Sequence, residues 1–375
     1  MIIGIDAREF QAGRITGISR HLLYFLRYAL SSTRAHKYVL FCNQETSVPL
    51  DSPDLKKVVI RERVTPVWDQ IILPFKIAAE KVDVFLTPYF KAPLILPCHM
   101  VLIISDLIPL FFPDQYGYVR RNYFKFLITA TARRATRIVT VSANSRRDIA
   151  EILGVLSDRV KVIHLGVEKR ERVEDLTREE ARSKYALPKQ FILYVGNLSP
   201  HKYLEGLIKS YTTLPQDLRA QYKLVFGASK KDKYFPDLEI IVRDTGLTRD
   251  IVFTGFIEDK YLPALYSMST LFAFPSLYEG FGLPPLEAMA YGTPVVSSNT
   301  SSMPEVLGDA AVLVDPRDTH EFSKAMTRIL TDDDLRKLMV IKGLERVKLF
   351  TPEKMAQTLL QALEECQQNL ILPSP

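Results

Sequence analysis

Short apolar runs alternate with helix-period segments along most of the chain. MIIGID reads as a strand, AREFQAGRITG as a loop, and GISRHLLYFLRYAL as a helix with Ile18, Leu22, Phe25, Leu26 and Ala29 on one face. KYVLFC, VDVFLTPYF, HMVLIISDL, TRIVTVS and VKVIHLG read as further strands, and DQIILPFKIAAEK, YVRRNYFKFLITATARRA and SANSRRDIAEIL as helices. Strands that alternate with helices predict a mostly parallel sheet covered on both faces.

The charged stretch from Glu168 to Lys189 interrupts this pattern, and a domain boundary is expected there. A second series follows: strands FILYVG, YKLVFGA, DIVFTGF, TLFAFP and TPVVSS, with helices YLEGLIKSYTTL, FPDLEIIVRDTG, DKYLPALYSM and PPLEAMAY between them. The expected organisation is a first Rossmann-like α/β domain over 1–168, a second over 169–350, and a C-terminal segment, 351–375, that packs back on the first. Thr351-Pro352-Glu353 opens a helix to Gln367, and the final LPSP is expected to fray. Two doubly wound domains side by side predict a ligand cleft between the C-terminal edges of their sheets.

Composition narrows the class. Hydrophobic residues make up 47% and charged residues 25%, the proportions of a soluble globular protein. No apolar run reaches the roughly 18 residues of a spanning helix, and the N-terminus lacks the basic region of a secretory signal, so a cytoplasmic location is expected. Cys42, Cys98 and Cys366 lie far apart, show no metal spacing and read as buried thiols. Residues 1–168 hold 23 Lys/Arg against 15 Asp/Glu, so the net charge of +6 resides in the first half. That excess suits anionic lipid, a diphosphate-bearing acceptor or nucleic acid, and leaves peripheral contact with the inner membrane face among the expectations. In YGYVRRNYFKF (Tyr116 to Phe126), Arg120, Arg121 and Lys125 scatter around the helix axis, as do Arg133, Arg134 and Arg137 downstream. A core-packed helix with solvated arginines is therefore preferred there, and no nucleic-acid partner is expected. Trp68 reads as a packing residue. His21, His36, His99, His164 and His320 have no partner spacing that suggests a metal or a triad.

The candidate chemistry sits in FPSLYEGFGLPPLEAMAYGTPVV, Phe274 to Val296. Seven residues separate Glu279 from Glu287, and Gly280, Gly282, Pro284 and Pro285 forbid a continuous helix between them. Glu279 is assigned to a loop and Glu287 to the first turn of a helix that Gly292 caps. The loop amides of Gly280, Phe281, Gly282 and Leu283, at the positive end of that helix, form a site for a phosphate or sugar-phosphate oxygen. The two carboxylates suit vicinal hydroxyls, although a helix-start acid and turn glycines also explain Glu287 and the loop taken singly.

This segment resembles the retaining GT-B glycosyltransferases of glycosyltransferase family 4, whose signature is two glutamates seven residues apart in a PSLYEGFGLPxLEAMAxGxPVV-like stretch. The resemblance continues in SSMPEVLGDAAVLVDP, YVGNLSPHK, IVFTGFIEDKYLPALYSMSTLFAFPS and, more loosely, GIDAREFQAGRITGISR and ISDLIPLFFPDQY. It implies a GT-B fold and transfer of a hexose, such as glucose or mannose, from a UDP- or GDP-sugar to a glycan or lipid-linked acceptor in polysaccharide biosynthesis. Glu279, Lys202 and Asp106 are then the catalytic set. Glu287 takes the ribose, and Gly280, Phe281, Gly282, Leu283, Asn197, Gly17, Phe256 and Ile257 complete the donor site. Two positions depart from the family pattern: Asn197 stands where many members carry arginine, and Ser105, on the acceptor side, where histidine is usual. His201 is a candidate to restore part of the missing charge. Neither a metal nor another cofactor is expected, because a lysine and loop amides can neutralise a diphosphate directly. The loop Gly13 to Ser19 is either a cap for the diphosphate or a plain turn. The rival functions are a GT-B sugar-nucleotide epimerase, a phosphorylase and a non-catalytic sugar-nucleotide-binding subunit. A nicotinamide dehydrogenase is disfavoured, since no G-x-G-x-x-G follows a strand.

Overall fold

A computed structural model describes residues 1–11, 16–32, 35–115, 117–168 and 173–368. Gly13 to Ile15 of the glycine loop, Tyr116 and the terminal LPSP lie outside the described residues. The chain divides into two units, one formed by 1–166 with 352–375 and the other by 167–351.

The first unit is built on a seven-stranded, fully parallel sheet: β1 (Ile2–Asp6), β2 (Lys37–Cys42), β3 (Leu55–Val59), β4 (Val84–Thr87), β5 (His99–Ile103), β6 (Arg137–Thr140) and β7 (Val160–Val162), in the order β3-β2-β1-β4-β5-β6-β7. Its central strands are buried on both faces, as continuous apolar runs such as VFLT and KYVLFC require. On one face lies the helix Gly17–Ser32, which buries Leu22, Phe25, Leu26 and Ala29, while Ile18, assigned inward from spacing, is exposed. Beside it packs the last helix, Pro352–Gln368, whose Met355, Ala356, Leu359, Leu360, Ala362, Leu363 and Cys366 join the same core as Ile3, Ile5 and Phe25. Each such large apolar side chain removed from water contributes about 1.5–3 kcal/mol. His36–Glu364 (2.8 Å) and Lys161–Glu365 (2.9 Å) pin the helix at its rim.

The second unit holds a six-stranded parallel sheet: β8 (Phe191–Val195), β9 (Lys223–Gly227), β10 (Ile251–Phe253), β11 (Leu271–Phe274), β12 (Val295–Ser298) and β13 (Val312–Val314), in the order β10-β9-β8-β11-β12-β13. The order reverses between β8 and β11, the point where doubly wound sheets open for ligands at their carboxyl ends. Part of the charged boundary stretch is helical, Asp175–Lys184, and belongs to this unit.

Cys42 and Cys366 are buried as expected, but Cys98 is only half-buried because it ends the loop that leads into β5. Burial pushes the Cys42 thiol up to about 11 and the Cys98 thiol up to about 12, so both stay neutral. No helix among the described residues is long and apolar enough to cross a membrane.

Candidate active site

Lys202 and Glu279 are brought together at the switch point of the second sheet. β8 exits into Gly196, Asn197 and the single 3-10 turn Pro200–Lys202, and the neighbouring β11 exits into the loop that carries Glu279. The Lys202 ammonium donates to Glu279 Oε1 at 2.5 Å, and each residue is only 8% exposed. Lys202 Nζ also lies 5.2 Å from the ring centroid of Phe274, the last residue of β11. The Leu277 amide donates to the His201 carbonyl at 2.8 Å, tying the two loops together through the backbone.

The glutamate loop is held from behind by three consecutive hydroxyls that follow β12. Thr300 donates to the carbonyls of Ser276 (3.2 Å) and Leu277 (3.0 Å). Ser301 accepts from the Glu279 amide at 2.9 Å, and Ser302, fully buried, donates to the carbonyls of Glu279 (3.0 Å) and Phe281 (2.9 Å). A loop has no ladder of its own, so these bonds fix where the carboxylate stands. The sequence reading missed this role, although a run of three hydroxyl residues beyond a neighbouring strand was a signal for it.

Gly282 closes the loop at φ +102°, a conformation that side-chain-bearing residues rarely adopt, and caps the helix Leu283–Ala290. The helix therefore starts at Leu283, one residue before the Pro284 expected from the sequence. Glu287 falls in its second turn, because Pro284 and Pro285, whose φ is preset for helix, occupy the first. The two prolines also remove two of the first-turn N–H donors. Glu287, half-buried, accepts from the Tyr266 hydroxyl at 2.9 Å, and Tyr266 stacks on Tyr291 at 6.1 Å between centroids. Tyr266 was not singled out from the sequence.

The remaining predicted donor residues stand differently. Asn197 is exposed, and its side-chain oxygen accepts from the Ser199 amide at 3.2 Å, so it shapes the loop. Its carbonyl accepts from the buried Tyr194 hydroxyl at 2.6 Å. Gly196 is required here, because a Cβ on it would stand 2.7 Å from that hydroxyl. Phe256 is exposed, whereas Ile257 is buried with its Cδ1 over Gly227, at the end of β9. His201 does not replace the missing cation: burial, and then the Lys202 charge, push its pKa down to about 4, which leaves it neutral near pH 7.

In the first unit, Ser105 and Asp106 are half-buried just after β5, and Asp106 Oδ1 accepts from the Ile108 amide at 3.0 Å. Gly17 opens the first helix and is exposed. A charged cluster not legible from residue spacing lies where β1 and β4 end. Arg8, buried, donates to both oxygens of Asp6 (3.0 and 2.7 Å) and to Asp69 (2.7 Å), with its guanidinium 3.7 Å above Trp68 and 5.0 Å from the Tyr89 ring. Glu9 accepts from Thr16 (2.7 Å) and Tyr89 (2.9 Å). Burial works against the Arg8 charge, but Asp6 and Asp69 outweigh it and hold the guanidinium above its ordinary value. Burial likewise raises Asp69 to about 6 against the pull of Arg8. Trp68 is a packing residue, as read, and also a platform for this cation.

Two parallel-sheet Rossmann-like domains with a glycine loop and paired charges at the switch point of the second define a GT-B glycosyltransferase fold. The sucrose-phosphate synthase of Thermosynechococcus elongatus superposes with a TM-score of 0.75 over 97% of this chain and 98% of that one, at 21% identity. Residues 15–171 match the family described as Glycosyltransferase Family 4, and residues 177–346 match Glycosyl transferases group 1, so the chain carries the paired domains of these glycosyltransferases. Among curated relatives, it is 36% identical over 242 residues to the serotype-specific mannosyltransferase WbdA of Escherichia coli, which covers 63% of this chain and 30% of that protein. It is 33% identical over 258 residues to the O-antigen chain mannosyltransferase B of Escherichia coli, which covers 67% of this chain and 66% of that protein. The chain thus spans less than a third of the first relative's length.

Proposed function

We propose that this protein transfers mannose, with retention of configuration and without a metal, from a nucleoside-diphosphate sugar to a glycan or lipid-linked acceptor in polysaccharide biosynthesis. The observation that carries the reading is the buried Lys202–Glu279 pair beside the Gly280–Gly282 loop. The mannosyltransferase names of the relatives favour mannose over glucose.

In this reading Lys202 and the amides of Gly280 to Leu283 meet the diphosphate, Glu279 accepts from sugar hydroxyls, and Glu287, oriented by Tyr266, accepts from the ribose. As the sugar C1–O bond to phosphate breaks, the acceptor oxygen bonds C1 on the same face and its proton passes to the departing phosphate oxygen. A charge-assisted contact from Lys202 to that leaving group contributes roughly 1.5–3 kcal/mol. Asp106, Ser105 and Gly17 are assigned to the first domain's share of the reaction.

The test is incubation with GDP-mannose, UDP-glucose and ADP-glucose, with and without chelator, followed by NMR of the product anomer. A mannosylated product of retained configuration, formed in chelator, is expected. An inverted product overturns the retaining assignment, and donor turnover without acceptor points to an epimerase. Donor binding with no turnover on any acceptor points to a binding subunit.

A further inference from the structure

The chain enters the second unit at Val167 and leaves it at Thr351. The buried Val167 amide donates to the Phe350 carbonyl at 2.9 Å, so the incoming and outgoing segments are joined through their backbones just inside this unit. On the first unit's side of the incoming crossing, His21 Nε2 lies 3.2 Å from the Gly166 carbonyl. Each side of the Gly166–Val167 peptide is therefore held by its own unit.

The Phe350 side chain reaches the glycine loop. Its ring meets that of Phe281 edge to face, 5.7 Å between centroids at 76°, and both rings are buried. Phe281 stands between Gly280 and Gly282, which have no side chain to pack, so its ring is the anchor by which this stretch of loop is held in place. The Arg346 guanidinium lies 5.5 Å from the Phe350 ring and donates to the carbonyls of Glu305 (2.5 Å) and Val306 (2.9 Å) in the helix Met303–Leu307. That helix opens with Met303, whose methyl group fills the space a Cβ on Gly282 would need. The loop thus has a back wall of two side chains, Met303 behind Gly282 and Phe350 behind Phe281, with Arg346 joining them.

We propose that Phe350 is a positioning residue that couples the Gly280–Gly282 loop to the paired chain crossings of its unit. Its ring sets where Phe281 stands, and with it the loop amides that converge on an anion, while its carbonyl holds the Val167 amide. Coupling of this kind is reciprocal: an anion that orders the loop also orders the crossings, and loosening the ring contact weakens both. That the anion is a donor diphosphate rests on the transferase reading, whereas the coupling rests on packing within one unit.

Hydrogen exchange of the full chain tests it, read at the Val167 amide with the amides of β9 as the control. Without nucleotide, Phe281→Ala is expected to speed exchange at Val167 roughly threefold to tenfold and to leave β9 unchanged. Phe281→Leu, which keeps the test decisive if the alanine variant fails to fold, is expected to give a smaller change of the same kind. Exchange at Val167 equal to that of the wild type, or an acceleration that β9 shares in full, overturns the proposal. With saturating GDP or UDP, whichever raises the melting temperature of the wild type, exchange at Val167 is expected to slow at least roughly threefold. In Phe350→Ala that slowing is expected to be lost and nucleotide affinity to fall about fivefold, and Phe350→Leu is expected to recover part of both. A nucleotide that binds the wild type and leaves Val167 unmoved also overturns the proposal. If neither nucleotide shifts the melt, the result counts against the transferase reading, and the nucleotide-free comparison still decides the coupling.

Discussion

Lys202 Nζ lies 2.5 Å from Glu279 Oε1, although 77 positions separate the two residues and neither reaches solvent freely. Lys202 therefore already has a counter-ion, and in the proposed reaction an entering diphosphate has to take the ammonium from Glu279, freeing the carboxylate for sugar hydroxyls.

Glu279→Gln removes that competitor. A nucleoside diphosphate lacking sugar is expected to bind the variant roughly threefold to tenfold more tightly than the wild type, whereas transfer falls by at least two orders of magnitude. Titration calorimetry with GDP and UDP checks the first part. Unchanged or weaker binding would mean that Glu279 does not compete for the cation.

Lys202→Ala leaves a buried carboxylate without its cation and is expected to cost about 3 kcal/mol in urea unfolding, besides lowering kcat. The double variant Lys202→Ala/Glu279→Gln is expected to recover most of the stability and none of the activity.

Tyr266→Phe deletes only the hydroxyl that holds Glu287. Donor KM is expected to rise about fivefold with kcat within about twofold, and stability to fall by roughly 1 kcal/mol. Steady-state kinetics that show the reverse split would place Glu287 at the chemistry instead of the ribose.

His201 has a folded-state pKa of about 4 against an ordinary 6.5, so between these values the unfolded chain binds more protons. Its contribution to stability is full above about pH 6.5 and is lost as the pH falls toward 4, by on the order of 3 kcal/mol. His201→Gln is expected to flatten that acid slope in thermal melts recorded between pH 4 and 7.

The two-domain α/β class was legible because buried parallel strands must be apolar throughout and their helices must repeat at 3.6 residues. What escaped has physical reasons. Leu55–Val59 and Val312–Val314 are edge strands, short and only partly buried, and Lys56 and Lys57 disguise the first of them. Glu287 falls in the second turn and not the first because the left-handed Gly282 lets the helix begin at Leu283, ahead of both prolines. The sequence also gave His201 a charge that only burial could remove. Arg8 draws its partners from positions 6, 62 and 69, and Thr300 to Ser302 support a loop some 20 residues upstream, so neither arrangement has a local pattern.

Because Pro352–Gln368 completes the core of the first unit, the whole second unit is an insertion within the first. Synthesis runs from the N-terminus, so the core of the first unit lacks Met355, Leu359, Leu360 and Leu363 while residues 167–351 are made and can fold around their own sheet. The domain begun first is finished last, and loss of the final helix by truncation or premature arrest strikes the domain that bears the N-terminus while sparing the one that holds Lys202 and Glu279.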